Sequence, residues 1–202
     1  AKTKKKILLS TGMSTINEIE KSISELLKNK TKKKNITLLH CHSAYPTSYK
    51  DVNLKTILFL RKKFKVDIGF SDHSLDIEAS LGAVALGATV IEKHFTLSKK
   101  MKGPDHSASL DFKELSLLVK KIRNLEISMG KEKKVLSKVE KHNRIFSKRS
   151  IYALKIIEKG EYFNEKNICT KRPAIGIPAF MWHDIIGKKA KKKFKINEKI
   201  AI

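Results

Sequence analysis

Four strand-helix units follow one another in the first 129 residues, and this order constrains the fold more than any other feature of the chain. Each unit begins with an apolar run, continues through a polar loop and ends in a stretch whose apolar residues recur at helical spacing. The four apolar runs are ILLS, NITLLH, VDIGF and ATVIEKHF. Strands that alternate with helices pair in parallel, so we expect an α/β unit with a parallel sheet.

Polar residues gather in the loops that follow the four predicted strands, at residues 10–14, 40–47, 71–74 and 94–107. Ligands of parallel sheets bind at these carboxyl ends. A doubly wound sheet usually opens with a Gly-rich phosphate loop, which is missing here, so a (β/α) barrel fits better. Thr15 with Glu18, and Asp111 with Glu114, have the spacing of helix capping boxes.

The pattern changes after Met129. Residues 130–147 read as a charged linker with a weak pattern, and residues 148–202 contain short β-type runs broken by Gly, Asn and Pro. We therefore expect three parts, residues 1–129, the linker 130–147, and a separate small domain rich in β and turn structure at 148–202.

The chain carries 44 Lys and Arg against 20 Asp and Glu, a net charge of +24. The excess is mostly Lys, scattered and accompanied by many Ile and Asn, which indicates compositional bias rather than a nucleic-acid surface of Arg forks and aromatic rings. Cys41 and Cys169 are the only cysteines, so a reducing cytoplasm fits best. No apolar run approaches the roughly 20 residues of a membrane helix. The first residue is Ala, which suggests a piece of a longer polypeptide.

His73 and His94 are the first candidates for a site. They lie 21 residues apart, about one strand-helix repeat, and each follows its strand at nearly the same offset. Two neutral imidazoles plus water suit a catalytic divalent metal, Mn²⁺, Fe²⁺ or Zn²⁺ more readily than Mg²⁺. The alternative is a pair of independent loop histidines that hydrogen-bond to the backbone.

Further polar residues lie in the same loops. Asp105, with His106 beside it, follows a Gly-Pro turn and could bind sugar hydroxyls or transfer a proton, or simply shape the turn. Ser71 and the segment 10–12 could donate hydrogen bonds to a phosphate or carboxylate, with helix capping as the alternative.

The segment CHSAYPT adds His42, Ser43 and Tyr45 at another strand end, where Tyr45 could instead pack against its turn. Arg172, in a loop-like stretch of the second domain, is suited to carboxylate recognition, and a solvated surface role is the alternative.

Six motifs together resemble the sialic acid synthase family, which comprises the N-acetylneuraminate synthases and their legionaminic and pseudaminic acid relatives. The resemblance covers essentially the whole chain, most weakly in the linker. The motifs, in order, are LLSTGM, LLHCHSAYPT, IGFSDHS, GAVALGATVIEKHFTL, MKGPDHSASL and KRPAIGI.

The resemblance implies a fold and an activity. The fold is the C-terminal half, strands 5 to 8, of a TIM (β/α)₈ barrel followed by a small antifreeze-like (SAF) domain. Members of the family condense phosphoenolpyruvate with an N-acylated mannose-type sugar, or its 6-phosphate, to give a nine-carbon sialic acid and phosphate. They are domain-swapped homodimers in which the SAF domain covers the partner's active site. The expected location is cytoplasmic, without nucleic-acid or membrane partners.

The resemblance also implies residue roles. His73 and His94 match the two protein ligands of a catalytic metal, Mn²⁺ first, with Mg²⁺ or Co²⁺ as alternatives. Ser71 resembles a phosphoenolpyruvate contact, and Tyr45 and Asp105 resemble sugar contacts.

Three more residues match positions that line the family's substrate site. Ser43 stands where many members carry Asn, so substrate preference could differ. Arg172 matches the SAF-domain arginine that reaches the sugar across the dimer, and Phe146 matches a linker aromatic. The GPDH sequence favours the sialic or legionaminic branch over the pseudaminic branch.

Compared with the family, the chain lacks the first four barrel strands and their phosphoenolpyruvate-binding residues. We therefore expect residues 1–202 to be inactive alone. A pseudaminic acid synthase and a non-enzymatic SAF-domain binding module remain as alternatives.

Overall fold

The first part of the molecule is built around a parallel sheet. The computed structural model describes residues 1–201, which fall into two compact units that divide between Lys131 and Glu132. In the first unit the strands pair in chain order, each pair parallel, and the predicted parallel sheet of an α/β unit is confirmed. The strands are β1 (Ile7–Ser10), β2 (Ile36–Cys41), β3 (Asp67–Asp72) and β4 (Ile91–Lys93).

Helices fill the connections between these strands and follow the last one. Both predicted capping boxes are confirmed, at the first turns of the first and last helices of this unit. The third of these helices begins at Thr56, because Asn53 adopts a left-handed φ of 45° and ends a preceding short helix. The helices are α1 (Ile16–Lys28), α2 (Tyr49–Val52), α3 (Thr56–Phe64), α4 (Glu78–Ala85) and α5 (Phe112–Met129).

The two faces of the sheet differ in burial because side chains alternate along each strand. One face packs against the helices, and its fully buried members include Leu38, Ile68 and Phe70. The opposite face is more open, with Leu8 at 52% exposure and Glu92 exposed. Near the carboxyl ends of the strands, the side chains of Ser71 and Glu92 lie on this open face.

The second unit has its own core and short strands. β5 (Ser150–Ala153) pairs antiparallel with β6 (Ile168–Lys171), and isolated bridges join Ile157 to Phe194 and Tyr162 to Lys189. A short 3₁₀ helix, Ala179–Met181, leads into a four-residue α-helix, Trp182–Ile185. The core residues are Ile151, Ala153, Ile157, Phe163, Ile168, Ile185, Ala190, Phe194 and Ile200.

The segment interpreted from sequence as a linker contains a helix, α6 (Lys138–Ser147), so the four-residue helix after it is α7. The Ser137 side chain accepts from the Glu140 backbone N–H, and the Glu140 carboxylate accepts from the Ser137 N–H, which completes a capping box. No residue of α6 is buried. Within residues 1–201, no helix is long and apolar enough to cross a membrane.

Candidate active site

His73 and His94 lie side by side at the carboxyl end of the sheet. β3 ends at Asp72 and β4 ends at Lys93, and these two residues are register partners. A histidine directly follows each of them, so the two histidines leave neighbouring strands at the same level of the sheet. The centroids of the two imidazole rings are 5.2 Å apart. The ring of Tyr45, from the loop after β2, lies 4.2 Å from that of His73 and 5.6 Å from that of His94. The two histidines therefore lie together, which their spacing left open and the family resemblance implies.

Hydrogen bonds to the backbone hold both histidines. Nδ1 of His73 lies 2.9 Å from the carbonyl oxygen of His42. Because a carbonyl oxygen only accepts, Nδ1 carries the proton in this bond, and the lone pair of the neutral ring is on Nε2. The Thr47 N–H donates to the His73 carbonyl, and the Leu110 N–H donates to the His94 carbonyl, each at 2.9 Å.

A serine and a glutamate share a small pocket with the two histidines. Ser71 and Glu92 are register partners on β3 and β4, and Ser71 Oγ donates to Glu92 Oε1 at 2.7 Å. Glu92 is missing from the sequence-based candidates. The sequence does indicate it, because Glu92 precedes His94 by two residues and side chains two apart along a strand face the same side of the sheet. The pocket thus combines two imidazoles, a hydroxyl and a carboxylate.

The histidine pair fits the metal that the family implies. Nδ1 of His73 is occupied by a carbonyl, which is the usual second hydrogen bond of a metal-binding histidine and leaves Nε2 for the metal. Two imidazoles with the remaining positions left to water or substrate suit a catalytic divalent transition metal. In the described residues, 1–201, no group of three or more His, Cys, Asp or Glu side chains is arranged to hold an ion.

The loop after β1 packs against the loop after β2. Thr11 Oγ1 and its backbone N–H both donate to the carbonyl of Leu39, at 2.8 and 3.1 Å. A Cβ on Gly12 would stand 2.4 Å from Ser43 Oγ and 3.3 Å from Cys41 Sγ, so the two loops approach closely at this glycine. The Ser43 hydroxyl therefore lies beside Gly12 at the rim of the strand ends.

Asp105 lies in the loop after β4 and is exposed. Its backbone carbonyl accepts from the N–H and Oγ of Ser109, at 3.0 and 2.7 Å, so the residue shapes the turn. The neighbouring His106 lies with Nδ1 2.8 Å from Thr96 Oγ1. Asp105 is not among the residues that line the histidine pocket, and its proposed sugar contact stays a prediction.

Arg172 and Phe146 belong to the second unit. Arg172 directly follows β6 and is exposed. Phe146 lies near the end of α6, is 61% exposed, and has its ring 5.7 Å from that of His142. Both side chains are accessible within their unit, and their roles stay predictions.

Two titratable groups near the strand ends have shifted pKa values. Burial lowers the pKa of His40, although its ring Nε2 lies 2.7 Å from the Val52 carbonyl, a contact that acts in the opposite direction. Burial, followed by a hydrogen bond to Glu78, raises the pKa of Tyr49 to about 12. The Tyr49 hydroxyl donates to Glu78 Oε2 at 3.1 Å and to Asp76 Oδ2 at 3.3 Å. Tyr49 is therefore a neutral hydrogen-bond donor at physiological pH.

A parallel α/β unit with two imidazoles and a carboxylate at the carboxyl ends of its strands has the construction of a barrel-type enzyme site. The chain belongs to the NeuB family, whose model matches residues 1–134, and a SAF domain matches residues 148–200. The predicted fold class, half of a TIM barrel followed by a SAF domain, is thereby confirmed, as is the family resemblance.

Named relatives include synthases of several nonulosonic acids. The chain is 50% identical to N,N'-diacetyllegionaminic acid synthase of Campylobacter jejuni over 99% of its length and 60% of the relative's. It is 43% identical to pseudaminic acid synthase of the same species over 98% of its length and 57% of the relative's. The structure of N-acetylneuraminic acid synthetase from Leptospira borgpetersenii matches 67% of this chain and 47% of its own, at 38% identity and a TM-score of 0.61. The chain thus spans about 60% or less of these proteins.

Proposed function

We propose that this chain supplies the metal-binding half-barrel and the SAF domain of a sialic acid synthase. The reaction joins phosphoenolpyruvate to an N-acylated mannose-type sugar and gives a nine-carbon acid and phosphate. The observation that carries the proposal is the placement of His73, His94, Tyr45, Ser71 and Glu92 at one end of the sheet. Membership of the NeuB family and the printed names of the relatives support the same reaction class.

In this proposal His73 and His94 hold a divalent metal, Mn²⁺ first, through their ring nitrogens. The bound metal would supply Lewis-acid polarisation of a sugar carbonyl. Tyr45, whose ring lies against both imidazoles, is proposed to offer its hydroxyl to the sugar. Asp105 is proposed as a second sugar contact.

Ser71 and Glu92 line the pocket beside the two histidines. The Ser71 hydroxyl, which now donates to Glu92, can turn toward an anionic substrate such as phosphoenolpyruvate. The Glu92 carboxylate is exposed and can accept a proton or orient a water. We assign Ser71 to substrate binding and Glu92 to proton handling.

The proposed activity requires parts that lie outside residues 1–202. The relatives extend well beyond the matched region, and one face of the sheet in this chain remains open. We therefore propose that the chain is inactive alone and acts with the first half of a barrel. In the assembled dimer, which we place in the cytoplasm, the SAF domain would bring Arg172 to the partner's substrate. Ser43, at the strand ends of the half-barrel, and Phe146, in α6, are proposed to line the same site.

Two substrate branches fit the chain. Identity to the legionaminic acid synthase, 50%, exceeds that to the pseudaminic acid synthase, 43%, and the GPDH segment points the same way. We propose an N,N'-diacetyllegionaminic-type product first and a pseudaminic-type product as the second candidate.

The test uses this chain alone and the chain co-expressed with the preceding region of the Campylobacter legionaminic acid synthase. Each preparation receives phosphoenolpyruvate, Mn²⁺, and in turn N-acetylmannosamine or the six-carbon precursors of legionaminic and pseudaminic acids. Phosphate release and product mass are measured. We expect turnover only from the paired preparation, lost in His73→Gln and retained in His183→Gln, an exposed histidine of α7.

Phosphate release by the chain alone would contradict the requirement for a first half. If His73→Gln left turnover of the paired preparation intact, the metal assignment would be wrong. A full-length relative run in parallel establishes that the sugars and the assay are competent, so silence of the paired preparation with every sugar would argue for the binding-module alternative.

A further inference from the structure

A buried ion pair lies directly behind the two histidines. Asp72 and Lys93 precede His73 and His94 in sequence and are register partners on β3 and β4. Because side chains alternate along strands, both point to the helix side of the sheet, although Lys93 also borders the histidine pocket. Lys93 Nζ lies 3.0 Å from Asp72 Oδ2, and the two side chains are 4% and 0% exposed.

The remaining polar atoms of the pair bind the start of the segment that leads into α4. Asp72 Oδ1 accepts from the N–H and the Oγ of Ser74, at 2.8 and 2.6 Å, and Oδ2 accepts from Ser80 Oγ at 2.5 Å. Lys93 Nζ donates to the carbonyls of Ser74 and Asp76, at 2.5 and 2.8 Å. The carboxylate and the ammonium thus each have three or more partners, and the network is closed.

Burial of this pair is not explained by stability alone. Removing two charges from water carries a desolvation penalty, and a well-packed apolar pair of similar volume is often as stable. Unlike an apolar contact, the ion pair forms hydrogen bonds that are satisfied in only one relative position of the two strand ends. β4 has only three residues and forms an edge of the sheet, so few backbone bonds hold its end against β3.

We propose that Asp72 and Lys93 are positioning residues that set the separation of His73 and His94 for joint metal binding. The inference rests on the proposed function, since it presumes that the two imidazoles share an ion. Lys93 fixes the end of β4 through a charge on β3 and two carbonyls of the next loop. Asp72 fixes that loop and the first turns of α4 through Ser74 and Ser80.

A purely stabilising role and a positioning role predict different results in a double variant. Asp72→Asn leaves the ammonium unpaired, and Lys93→Met leaves the carboxylate unpaired, so each single change lowers stability. The double variant Asp72→Asn/Lys93→Met contains no unpaired charge, and we expect it to regain much of that stability. The bonds that Lys93 donates to Asp72 and to the carbonyls of Ser74 and Asp76 stay absent, so we expect metal affinity to remain about 10- to 100-fold below that of the unchanged chain.

The experiment measures Mn²⁺ binding to the 202-residue chain at low micromolar concentration. Free Mn²⁺ is followed by electron paramagnetic resonance, Co²⁺ coordination by visible absorption, and the folded fraction by circular dichroism, which corrects each binding curve. The matched control is Lys63→Met, which removes the partly exposed pair with Glu20 in the same unit. We expect this control to bind Mn²⁺ as the unchanged chain does.

The outcomes separate the two proposals. If His73→Gln bound Mn²⁺ as tightly as the unchanged chain, the metal site itself, and with it the proposed function, would be wrong. If His73→Gln lost binding but the folded double variant bound normally and gave an unchanged Co²⁺ spectrum, the metal site would stand and the positioning role would be overturned. Affinity that stays low in the stable double variant supports the positioning role.

Discussion

The two units of the chain bury their apolar residues in opposite ways. In the first unit, one sheet face is packed under helices while the other leaves Leu8 half exposed, and α5 buries only Leu118. In the second unit, nine apolar residues form a core in which none exceeds 2% exposure. The second unit is therefore self-contained, whereas the first has a surface suited to further barrel strands. This contrast supports the proposal that the catalytic unit is completed by another segment.

The largest expected effect tests whether the second unit is self-contained. Phe194 is fully buried and its ring lies 5.8 Å from that of Phe163. Phe194→Ala should lower the free energy of unfolding by about 3–5 kcal/mol, most of the stability of so small a domain. Urea unfolding followed by fluorescence of Trp182, the single tryptophan, which packs against this core, measures the change.

The control for Phe194→Ala is Ile196→Ala, since Ile196 is 55% exposed and should change the free energy by no more than about 0.5 kcal/mol. The helical circular dichroism of the first unit should persist in both variants. Loss of that signal together with the Trp182 transition would show that the two units depend on each other for folding.

The next effect tests how tightly the sheet of the first unit is packed. A Cβ on Gly69 in β3 would stand 2.5 Å from Leu39 Cδ2 and 2.8 Å from the backbone carbonyl of Val90, which cannot move aside. Gly69→Ala should therefore cost about 1–3 kcal/mol, measured by thermal unfolding at a helical circular dichroism band.

Gly82→Ala in α4 is the matched control for Gly69→Ala. The nearest atom to its added Cβ, at 2.7 Å, is Cδ1 of Leu54, the end of a flexible side chain. Helix propensity favours alanine by about 1 kcal/mol, so the net change in unfolding free energy should be near zero. Equal losses in the two variants would mean that β3 tolerates a side chain at Gly69, and that the sheet is less closely packed than described.

The order of strands and helices was predictable because each apolar run and each cap is encoded locally. The boxes at Thr15 and Asp111 follow directly from residue spacing, and the same S-x-x-E signal at Ser137 was present but was read as linker. The placement of His73 and His94 at one edge was also predictable, since parallel neighbouring strands end there, although their spacing alone left open whether the two rings lie together.

The groups that contact the two histidines were harder to predict from the sequence. The His42 carbonyl and the Asp72–Lys93 pair depend on strand register and on the path of the loop after β2, which no local pattern determines. Glu92 lay within reach, because strand alternation places it on the face of His94. The roles assigned to Asp105, Arg172 and Phe146 rest on the family resemblance and stay predictions.

A third test compares how the stability of the two units depends on pH. The first unit buries a titratable group, His40, whereas the core of the second unit is apolar. Burial lowers the pKa of His40 below the unfolded value near 6.5. The stability associated with the neutral ring is fully present above about pH 6.5 and is lost as the pH falls toward the folded pKa. This one group contributes a slope of at most about 1.4 kcal/mol per pH unit.

His40→Gln should therefore flatten the pH dependence of unfolding of the first unit below about pH 6.5, in comparison with His142→Gln, an exposed histidine. Urea unfolding at several pH values, followed by circular dichroism, gives both slopes. A slope unchanged in His40→Gln would mean that protonation of His40 does not contribute to acid sensitivity.

The smallest effect compares two capping boxes of the same geometry, one in each unit, at Thr15 and at Ser137. α1 buries Ile19 and Ile23, whereas α6 has no buried residue. Loss of the cap in Thr15→Ala should lower the unfolding free energy of the first unit by about 1 kcal/mol, because α1 is part of its core. Ser137→Ala should instead fray α6 locally, since little tertiary packing links that helix to the cooperative core. Amide hydrogen exchange should show faster exchange confined to α6 in Ser137→Ala, with the Trp182 unfolding midpoint unchanged. A lower midpoint in that variant would mean that α6 is energetically part of the second core, and that the self-contained domain begins before β5.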